Sequence, residues 1–304
     1  MFITTIAPGC ATPNVPAHGA PIRVGIQDAG AEKTAFQLHE IPMERYVAGV
    51  LEKEVHGGWP LEALKAQAVA TRTYALYRKE KPRDTRFDVL SDTSDQVFEK
   101  SRGHSPAIVQ AVTETEGETL TYRGKVFQTF FHSCCGGMSE SADQVWPGVA
   151  VPPLQGIHQD PYCSTCPPAH WEYRISREDL QRTLVENGYQ ANGTWEIEIT
   201  GTDESGRVTE ISLLPSKTRI QATKFRQLIG NTNLKSTLFE ISTSNDPIVF
   251  SGRGAGHGVG LCQWGAKGMA DDGRTYREIL EFYYPGAEIS PSASEPVIDL
   301  EGQD

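Results

Sequence analysis

The sequence lacks any run of 18 or more apolar residues, although 38% of its 304 residues are hydrophobic. A helix that crosses a bilayer needs about 20 such residues, so we predict no membrane-spanning helix. Basic residues are scarce as well: 28 Lys and Arg stand against 39 Asp and Glu, which gives a net charge of −11. This balance disfavours nucleic acid and anionic membranes as partners.

The first thirteen residues, MFITTIAPGCATP, lack both the basic and the long apolar regions of a secretion signal. The sequence also lacks internal repeats and low-complexity linkers. Its proline-rich start shows neither helical nor strand periodicity. We therefore predict a flexible arm over residues 1–24, one main domain over 25–290 and a flexible tail over 291–304.

Local patterns predict an α+β fold with mixed β-structure. Residues 43–51 have a helical pattern, His56-Gly57-Gly58 interrupts it, and Pro60 suits the first turn of a second helix that ends near residue 78. A loose alternation predicts a strand over 126–131. The chain therefore contains a helix-loop-helix early in the main domain.

From residue 171 to about 241 the pattern changes. Ser176 and Asp179 suit the start of a helix that ends at Gly188. Alternating apolar residues on both sides of residues 203–206 predict a β-hairpin, and a short helix follows over 224–229. This stretch is expected to form a small α+β lobe inserted into the main domain.

Glu54 lies at the mouth of the helix-loop-helix, beside Val55 and Trp59. A carboxyl group held against such apolar side chains has a raised pKa, as a general acid requires. Several other acidic residues lie nearby, and surface carboxylates are commonly inert. From the residues alone, a solvated surface Glu is therefore the simpler interpretation.

A glycine-rich segment follows Ser251, with Gly at every second position from 252 to 260. It resembles a dinucleotide-binding fingerprint only superficially, because no βαβ unit and no acidic residue at the ribose distance accompany it. Repeated Gly lets a backbone approach an extended ligand, with Arg253, His257 and Gln263 as polar contacts. An ordinary glycine-rich turn is the alternative.

Four of the six cysteines fall in the segments HSCCGG (132–137) and DPYCSTCPPAH (160–170). Cys135, Cys163, Cys166 and His170 could hold a tetrahedral zinc ion, although a single Cys-x-x-Cys is a weak zinc signal. Disulfides between the segments suit an exported protein, and buried free thiols are a third interpretation. We predict a disulfide from Cys135 to Cys163 or Cys166, and no metal.

Three stretches, in this order, resemble the stage II sporulation protein D family, which also includes amidase-enhancer proteins. They are EVHGGWPLEALKAQAVATRTYAL, FFHSCCGGMSESADQVWPG and GRGAGHGVGLCQWGAKGMA. With shorter matches around them, they cover roughly residues 40 to 290. Two long, glycine-marked motifs in the same order make this resemblance far more specific than any single motif.

The resemblance implies a function. Sporulation-type members are lytic transglycosylases that cut peptidoglycan glycan strands lacking stem peptides, and their catalytic Glu matches Glu54. Gln96 matches a family Gln. With the polar groups of the glycine-marked turns, the predicted substrate-binding residues are Gln96, His132, Ser133, Gly136, Gly137, Arg253, His257 and Gln263. The reaction needs no cofactor, and the resemblance places the protein outside the cytoplasm.

The sequence departs from the family pattern in places. The usual Glu-Met-Pro is Glu54-Val55-His56, and the His-Cys pair of some members is Ser94-Asp95, so their metal site is not predicted. The alternative function is a non-catalytic wall-binding module that stimulates a cell-wall amidase. A zinc amidase is disfavoured because the sequence contains no His-Glu-x-x-His.

Overall fold

The computed structural model describes residues 15, 20–27, 36–92, 95–98 and 103–291. Most of the predicted arm and tail therefore lies outside the described residues. Strand β1 (Ile22–Gln27) begins inside the predicted arm, with Ile22 and Val24 fully buried. The arm was therefore predicted too long, because its last residues pair in a sheet with two neighbouring strands.

The described chain combines eight α-helices with several small, mostly antiparallel sheets, and this confirms the predicted α+β class. The strands are β1 (Ile22–Gln27), β2 (Phe36–Ile41), β3 (Val89–Leu90), β4 (Glu118–Tyr122), β5 (Lys125–Val126), β6 (Phe131–His132), β7 (Trp171–Ile175), β8 (Glu196–Thr202), β9 (Val208–Leu214), β10 (Thr218–Gln221), β11 (Phe239–Ser242), β12 (Ile248–Gly252), β13 (Leu261–Cys262) and β14 (Glu288–Pro291). The helices are α1 (Met43–Glu54), α2 (Leu61–Glu80), α3 (Pro106–Glu114), α4 (Ala142–Val145), α5 (Arg177–Glu186), α6 (Ala222–Ile229), α7 (Gln263–Asp271) and α8 (Tyr276–Tyr283). None of the described helices combines the length and the apolar character that a bilayer crossing requires.

The helix-loop-helix is confirmed as α1 and α2. Each helix starts directly after a proline, Pro42 or Pro60, whose fixed φ suits entry into a helix. Arg72 on α2 makes a two-pronged ion pair with Glu44 on α1, with N···O distances of 2.6 and 2.9 Å, and both side chains are buried. This pair holds the two helices together and so sets the position of Glu54 at the end of α1.

The two glycine-marked segments lie side by side. Strands β6 and β13 pair in parallel, with Leu261 opposite Phe131 and Cys262 opposite His132. An isolated antiparallel bridge joins Cys134 to Ala255 further along. Segments more than 100 residues apart in sequence therefore form one local structure.

The predicted strand over 126–131 is wrong in its middle. Only its ends pair, as β5 and β6, whereas residues 127–130 join no ladder. Their polar groups bond elsewhere: the Thr129 hydroxyl donates to the carbonyl of Ala70 at 2.7 Å, and the carbonyl of Phe130 accepts from the Tyr284 hydroxyl at 2.7 Å. Groups on α2, just after α8 and on β13 therefore bond to this segment without forming a ladder along it.

The lobe has an apolar core of its own, built from two three-stranded sheets, α5 and α6. The predicted helix after Ser176 is α5, and the Ser176 hydroxyl caps it by accepting from the N–H of Asp179 at 3.0 Å. The predicted hairpin is β8 with β9. Strand β12 pairs between β7 and β11, so the lobe sheet runs to Gly252, beyond the predicted limit near residue 241.

Candidate active site

A cavity of about 570 Å³ opens at the end of α1. It receives side chains from the helix-loop-helix, from both glycine-marked segments and from the lobe. The lining residues are Glu54, Tyr74, Arg83, Asp95, Gln128, Phe130, Phe131, His132, Trp146, Val149, Arg226, Asn231, Gly256 and His257. We call it the Glu54 cavity.

Glu54 is half-buried at the last residue of α1. One carboxylate oxygen accepts from the backbone N–H of Val97 at 3.3 Å, and the other accepts from the amide of Gln263 at 3.5 Å. Burial raises the pKa of Glu54, and these two long hydrogen bonds offset the effect only in part. The C-terminal end of a helix also disfavours negative charge. Glu54 therefore keeps its proton to a higher pH than an ordinary Glu.

Asp95 is the second carboxylate that lines the Glu54 cavity, and its environment is the opposite. It accepts from the Tyr74 hydroxyl at 2.8 Å and from the backbone N–H of Leu90 at 2.9 Å. Ion pairs to Arg78 at 3.3 Å and Arg83 at 3.4 Å hold it as well. These partners occupy the carboxylate, so Asp95 anchors the wall of the cavity.

His257 has both ring nitrogens occupied. Nε2 donates to the carbonyl of Phe131 and Nδ1 accepts from the N–H of Val259, each at 3.1 Å. Only the neutral ring fits this arrangement, because Nδ1 must carry a free lone pair. Burial lowers the pKa of His257, and a nearby positive charge on Arg226 lowers it further. A ring bonded on both sides in this way is not arranged to exchange protons with a ligand.

His132 is buried, and its Nδ1 donates to the carbonyl of Val259 at 3.1 Å. Its Nε2 has no hydrogen-bond partner among the described residues. Burial lowers the pKa of His132, with the neighbouring His257 as the next cause. His132 therefore holds a neutral, buried Nε2 whose lone pair has no partner among the described residues.

Several aromatic and lobe residues that the sequence analysis did not single out also line the cavity. Trp146 stacks on Phe130 with ring centroids 4.1 Å apart, and it also touches the ring of His257 at 5.0 Å. Arg226 and Asn231 come from the lobe. Trp146 stands in a stretch that resembles the family motif, but nothing local marks the lobe residues, since only the folded lobe brings them to Glu54.

Three other predicted binding residues occupy different positions. Gln263 is buried and contacts Glu54 directly. Gln96 is also buried, but its amide accepts from the Tyr46 hydroxyl at 2.9 Å and donates to the carbonyl of Thr71 at 3.4 Å, so both ends are bound inside the protein. The carbonyl of Ser133 accepts a hydrogen bond from the backbone N–H of Trp264. Neither Gln96 nor Ser133 is among the described lining residues of the Glu54 cavity.

Gly136, Gly137 and Arg253 line a separate cavity of about 440 Å³, together with Cys163 and His170. The residues predicted to bind one substrate are thus divided between two cavities. His132 and His257 accompany Glu54, whereas the paired glycines and Arg253 do not.

Two glycines explain how the segments approach so closely. Gly256 and Gly260 have φ values of +110° and +67°, which favour glycine. A Cβ at Gly256 would lie 2.7 Å from the Cβ of His132, and one at Gly260 would overlap the carbonyl oxygen of Phe130. The alternate glycines are therefore needed where the backbone passes against the HSCCGG segment.

The cysteine predictions need correction. A disulfide does link the two segments, but it joins Cys134 to Cys166, whereas Cys135 and Cys163 are free thiols. The predicted pairing of Cys135 with Cys163 or Cys166 is therefore wrong. The alternative of a zinc ion held by Cys135, Cys163, Cys166 and His170 is wrong too, because Cys166 is in the disulfide and His170 is exposed.

Two protein-family models match the chain. One, described as "Stage II sporulation protein", matches residues 31–122, which contain α1, α2 and Glu54. The other, described as "Domain of unknown function (DUF8618)", matches residues 165–260, which contain the lobe. Both parts of the fold therefore recur in other proteins.

A Bacillus subtilis protein named stage II sporulation protein D is 31% identical over 277 residues, which span 85% of this chain and 77% of that protein. The chain belongs to the stage II sporulation protein D family. An uncharacterized protein of Brachyspira hyodysenteriae is 39% identical over 257 residues, spanning 84% of this chain and 68% of the relative. A B. subtilis protein named amidase enhancer is 28% identical over 288 residues, spanning 80% of this chain and 40% of the relative.

The structure shows what occupies the position at which some members of the stage II sporulation protein D family carry a His-Cys pair. Ser94, one of the two residues at the place of the His-Cys pair, lies outside the described residues. Asp95, the other, is bound by Tyr74 and two arginines. This member of the family therefore uses that position to brace the wall of the Glu54 cavity.

Proposed function

We propose that this protein is a lytic transglycosylase that cuts peptide-free glycan strands of peptidoglycan outside the cytoplasm. The observation that carries the proposal is the contrast between the two carboxylates of the Glu54 cavity. Glu54 is half-buried with a raised pKa and is free of ion pairs among the described residues, whereas Asp95 is fully occupied. Membership of the stage II sporulation protein D family supports a role at the cell wall.

The proposed chemistry uses Glu54 twice. Its carboxyl group donates a proton to the oxygen that leaves the anomeric carbon of a muramyl residue, and the glycosidic bond breaks. The C6 hydroxyl of the same muramyl residue then bonds to the anomeric carbon and gives its proton to the Glu54 carboxylate. The products are a free hydroxyl end and a 1,6-anhydromuramyl end. No water is consumed, and Glu54 ends in its starting state.

One free carboxyl group suits this reaction better than hydrolysis. A hydrolase of the common kind needs a second carboxylate, about 5–5.5 Å away in retaining enzymes or about 6.5–9.5 Å away in inverting ones. Asp95 is the other carboxylate that lines the cavity among the described residues, and its hydrogen bonds and ion pairs leave it unsuited to that task. An intramolecular hydroxyl nucleophile makes a second carboxylate unnecessary.

The other lining groups suit a sugar chain. The half-buried Trp146 contributes an aromatic ring to the lining, and the neutral rings of His132 and His257 lie beside it. Apolar ring faces with a few fixed polar groups are typical of ligand sites. These residues are proposed to orient the glycan, while Glu54 transfers protons.

Arg226 supports the choice of peptide-free strands. Its guanidinium lines the cavity, and two of its nitrogens donate to the carbonyls of Leu234 and Lys235 at 2.7 and 2.9 Å. No carboxylate among the described residues makes an ion pair with it. A muramyl residue without its stem peptide carries a free lactyl carboxylate, which complements this cation.

The alternative is a wall-binding protein that enhances an amidase without catalysis. It is supported by the relative named amidase enhancer. The same cavity could bind glycan in such a protein, and a cell-wall amidase would be its partner. It would not require the raised pKa of Glu54.

Mass spectrometry of products from purified peptide-free strands tests the proposal. The expected products end in 1,6-anhydromuramyl residues, each lighter by one water than a hydrolysis product. Hydrolytic ends would overturn the transglycosylase assignment. Intact strands, together with a faster reaction of an added amidase, would establish the alternative.

Two variants control for contaminating enzymes. Glu54→Gln cannot donate the proton and should yield no anhydro ends, whereas Glu186→Gln should behave like the unmodified protein because Glu186 is exposed in the lobe. Equal activity of the two purified variants would trace the cleavage to a contaminant or to another residue.

A further inference from the structure

Among the described residues, three free cysteines and one aspartate meet in the core of the protein. Cys135, Asp160, Cys163 and Cys262 offer one ligand atom each, and these atoms all lie within 4.8 Å of one another. All four side chains are at most 2% exposed. We call this group the thiol cluster. It lies apart from the Glu54 cavity, whose described lining includes none of the four.

The spacing of the cluster suits a single metal ion. Two sulfur atoms bound tetrahedrally to zinc at about 2.3 Å lie about 3.8 Å apart. Here the sulfur of Cys135 is 3.3 Å from that of Cys163 and 3.1 Å from a carboxylate oxygen of Asp160. Small side-chain adjustments would bring all four atoms around a common centre.

Backbone amides surround the sulfur atoms as they surround bound thiolates. The sulfur of Cys262 accepts from the N–H groups of Cys135 and Gly265, both at 3.3 Å. The sulfur of Cys163 accepts from the N–H groups of Gly136 and Gly137. Such donors stabilise negative charge on sulfur and orient ligands toward a metal.

Asp160 is oriented in the same manner. Its Oδ2 accepts from the Tyr283 hydroxyl at 2.8 Å, and its Oδ1 accepts from the N–H of Tyr162 at 3.0 Å. A Cβ at position 265 would overlap this carboxylate, so Gly265 is what allows it to reach the start of α7. A buried carboxylate among thiols needs a compensating positive charge.

Disulfide formation explains the cluster less well. Cys134 and Cys166 are already bonded, so the cluster itself contains three thiols, and three cannot all pair with one another. A bond between Cys135 and Cys163 would leave the Cys262 sulfur and the Asp160 carboxylate buried together. A divalent ion satisfies all four groups at once.

We propose that Cys135, Cys163, Cys262 and Asp160 bind one structural zinc ion. Thiolate sulfur selects zinc over magnesium or calcium, and four protein ligands leave no open position for catalysis. The buried Arg207 guanidinium donates to the carbonyl of Cys135 at 2.9 Å and offsets part of the remaining negative charge. The thiol protons are released to solvent as the metal binds.

The ion would tie the segment of Asp160 and Cys163 to the two glycine-marked segments, both of which contribute to the lining of the Glu54 cavity. Cys135 follows His132 by three residues, Cys163 lies in a short turn after Asp160, and Cys262 immediately precedes Gln263, which contacts Glu54. One metal therefore ties the backbone on which the histidine and the glutamine stand. Its binding is independent of whether the protein cleaves glycan.

Metal content and cobalt spectroscopy test the site. Protein produced with zinc and purified without chelator should contain one zinc per chain by plasma mass spectrometry. Exchange with Co²⁺ should give the visible bands of tetrahedral cobalt and a near-ultraviolet charge-transfer band with the intensity of three thiolates. Folded, reduced protein that binds neither metal would overturn the proposal. An isolated Cys135–Cys163 disulfide that excludes zinc would also overturn it.

Variants identify the ligands. Cys262→Ser and Asp160→Asn should weaken zinc binding at least tenfold, as second-shell changes alone often do. His170→Ala and Cys10→Ser are matched controls that should keep one equivalent. If His170→Ala lost zinc while Cys262→Ser retained it, this ligand set would be wrong. The ligands would then be those considered in the sequence analysis, Cys135, Cys163, Cys166 and His170.

Alkylation of the unmodified protein keeps the test decisive where a variant fails to fold. Peptide mapping should find Cys135, Cys163 and Cys262 protected while zinc is bound, and labelled together once a chelator removes it. Labelling of these three thiols at the same rate with and without zinc, in protein that stays folded, would contradict the proposal.

Discussion

The Glu54 cavity and the thiol cluster are built on the same two segments, 132–137 and 253–263, but they differ in what is left unsatisfied. In the Glu54 cavity, Nε2 of His132 has no partner, and Glu54 has only two long hydrogen bonds. In the thiol cluster, each sulfur and the carboxylate have donors or neighbours inside the protein. The two segments thus border a ligand-sized cavity on one side and, with Asp160 and Cys163, form a closed and buried cluster on the other.

The difference separates the region expected to carry the chemistry from the region expected to stabilise the fold. A group with an open lone pair or a raised pKa can act on a ligand, whereas a closed, fully bonded group holds its neighbours in place. Changes to the Glu54 cavity should therefore alter activity without altering the fold. Changes to the thiol cluster should alter the fold first.

The largest expected effect is that of Glu54→Gln. The amide has nearly the same shape but cannot donate the proton, so cleavage of peptide-free strands should fall by about 10²–10⁴. Initial rates, measured alongside the melting temperature and zinc content, check this. Those two properties should match the unmodified protein.

The pH profile of cleavage adds a second measure of the same group. The acid form of Glu54 is needed first, and its pKa is raised, so activity should be lost as pH rises through that pKa. Any residual activity of Glu54→Gln should lack this loss. An unchanged profile in the variant would assign the ionisation to another group.

Removal of the proposed zinc is expected to have the next largest effect, on stability. Bound metal contributes its binding free energy to the folded state, so chelation should lower the melting temperature by on the order of 10 °C. Differential scanning calorimetry with and without chelator measures the shift. Glu54→Gln should show the same shift, and a chelator that stops cleavage without any change in melting would contradict a structural role.

Arg226→Ala should have a smaller effect, confined to substrate recognition. A hydrogen bond to a charged group is worth about 1.5–3 kcal/mol, which corresponds to a rise in KM of about tenfold to a hundredfold for peptide-free strands. Arg226→Lys keeps the charge and should recover part of the affinity. Strands whose lactyl carboxylates are amidated should bind all three forms alike.

If Arg226→Ala discriminates between free and amidated strands as well as the unmodified protein does, the lactyl carboxylate is recognised elsewhere. A fall in kcat at constant KM would also contradict the proposed role.

The smallest effect is expected for His257→Ala on turnover. KM should rise only about fivefold, because both ring nitrogens bond to the backbone of Phe131 and Val259, so the change reaches the ligand only through the position of that backbone. The maximal rate should keep its pH dependence, because the ring is bonded on both sides and stays neutral. Loss of an ionisation from the profile would make His257 a proton carrier and end the single-carboxylate mechanism.

His257 should also affect acid stability. Its pKa is lowered in the folded state, so below about pH 6.5 the unfolded chain binds more protons at this site than the folded protein does. The stability linked to it is complete above that pH and is lost as pH falls. Thermal unfolding of His257→Ala should therefore depend less steeply on pH between about 6.5 and 4.5 than that of the unmodified protein.

Local signals were enough to predict the elements that carry Glu54. The helical pattern over 43–51 predicts α1, Pro60 marks the start of α2, and the breakers between them mark the turn. Ser176 and Gly188 bound α5 in the same way. These features depend on a few neighbouring residues, so a sequence pattern can report them.

The prediction of a strand over 126–131 was wrong because the alternating pattern is local, whereas the hydrogen-bond partners of these residues come from distant parts of the chain. Alternation suggests a strand, but a ladder forms only where another strand lies alongside. Residues 127–130 instead meet Ala70 on α2 and Tyr284 just after α8. Gln96 is a similar case, since a Gln matched to a family position gives no sign that both ends of its amide are bound inside the protein.

The α+β class, the helix-loop-helix around Glu54 and the two glycine-marked segments with their family resemblance could be predicted from the sequence alone. The tertiary structure was needed to show that Cys134 pairs with Cys166 and that Cys262 lies beside Cys135 and Cys163. It was also needed to show that Asp95 makes ion pairs, whereas Glu54 makes none among the described residues. Helices and turns follow from interactions within a few residues. Cysteine pairing and the pKa of a carboxyl depend on groups that approach from distant parts of the chain.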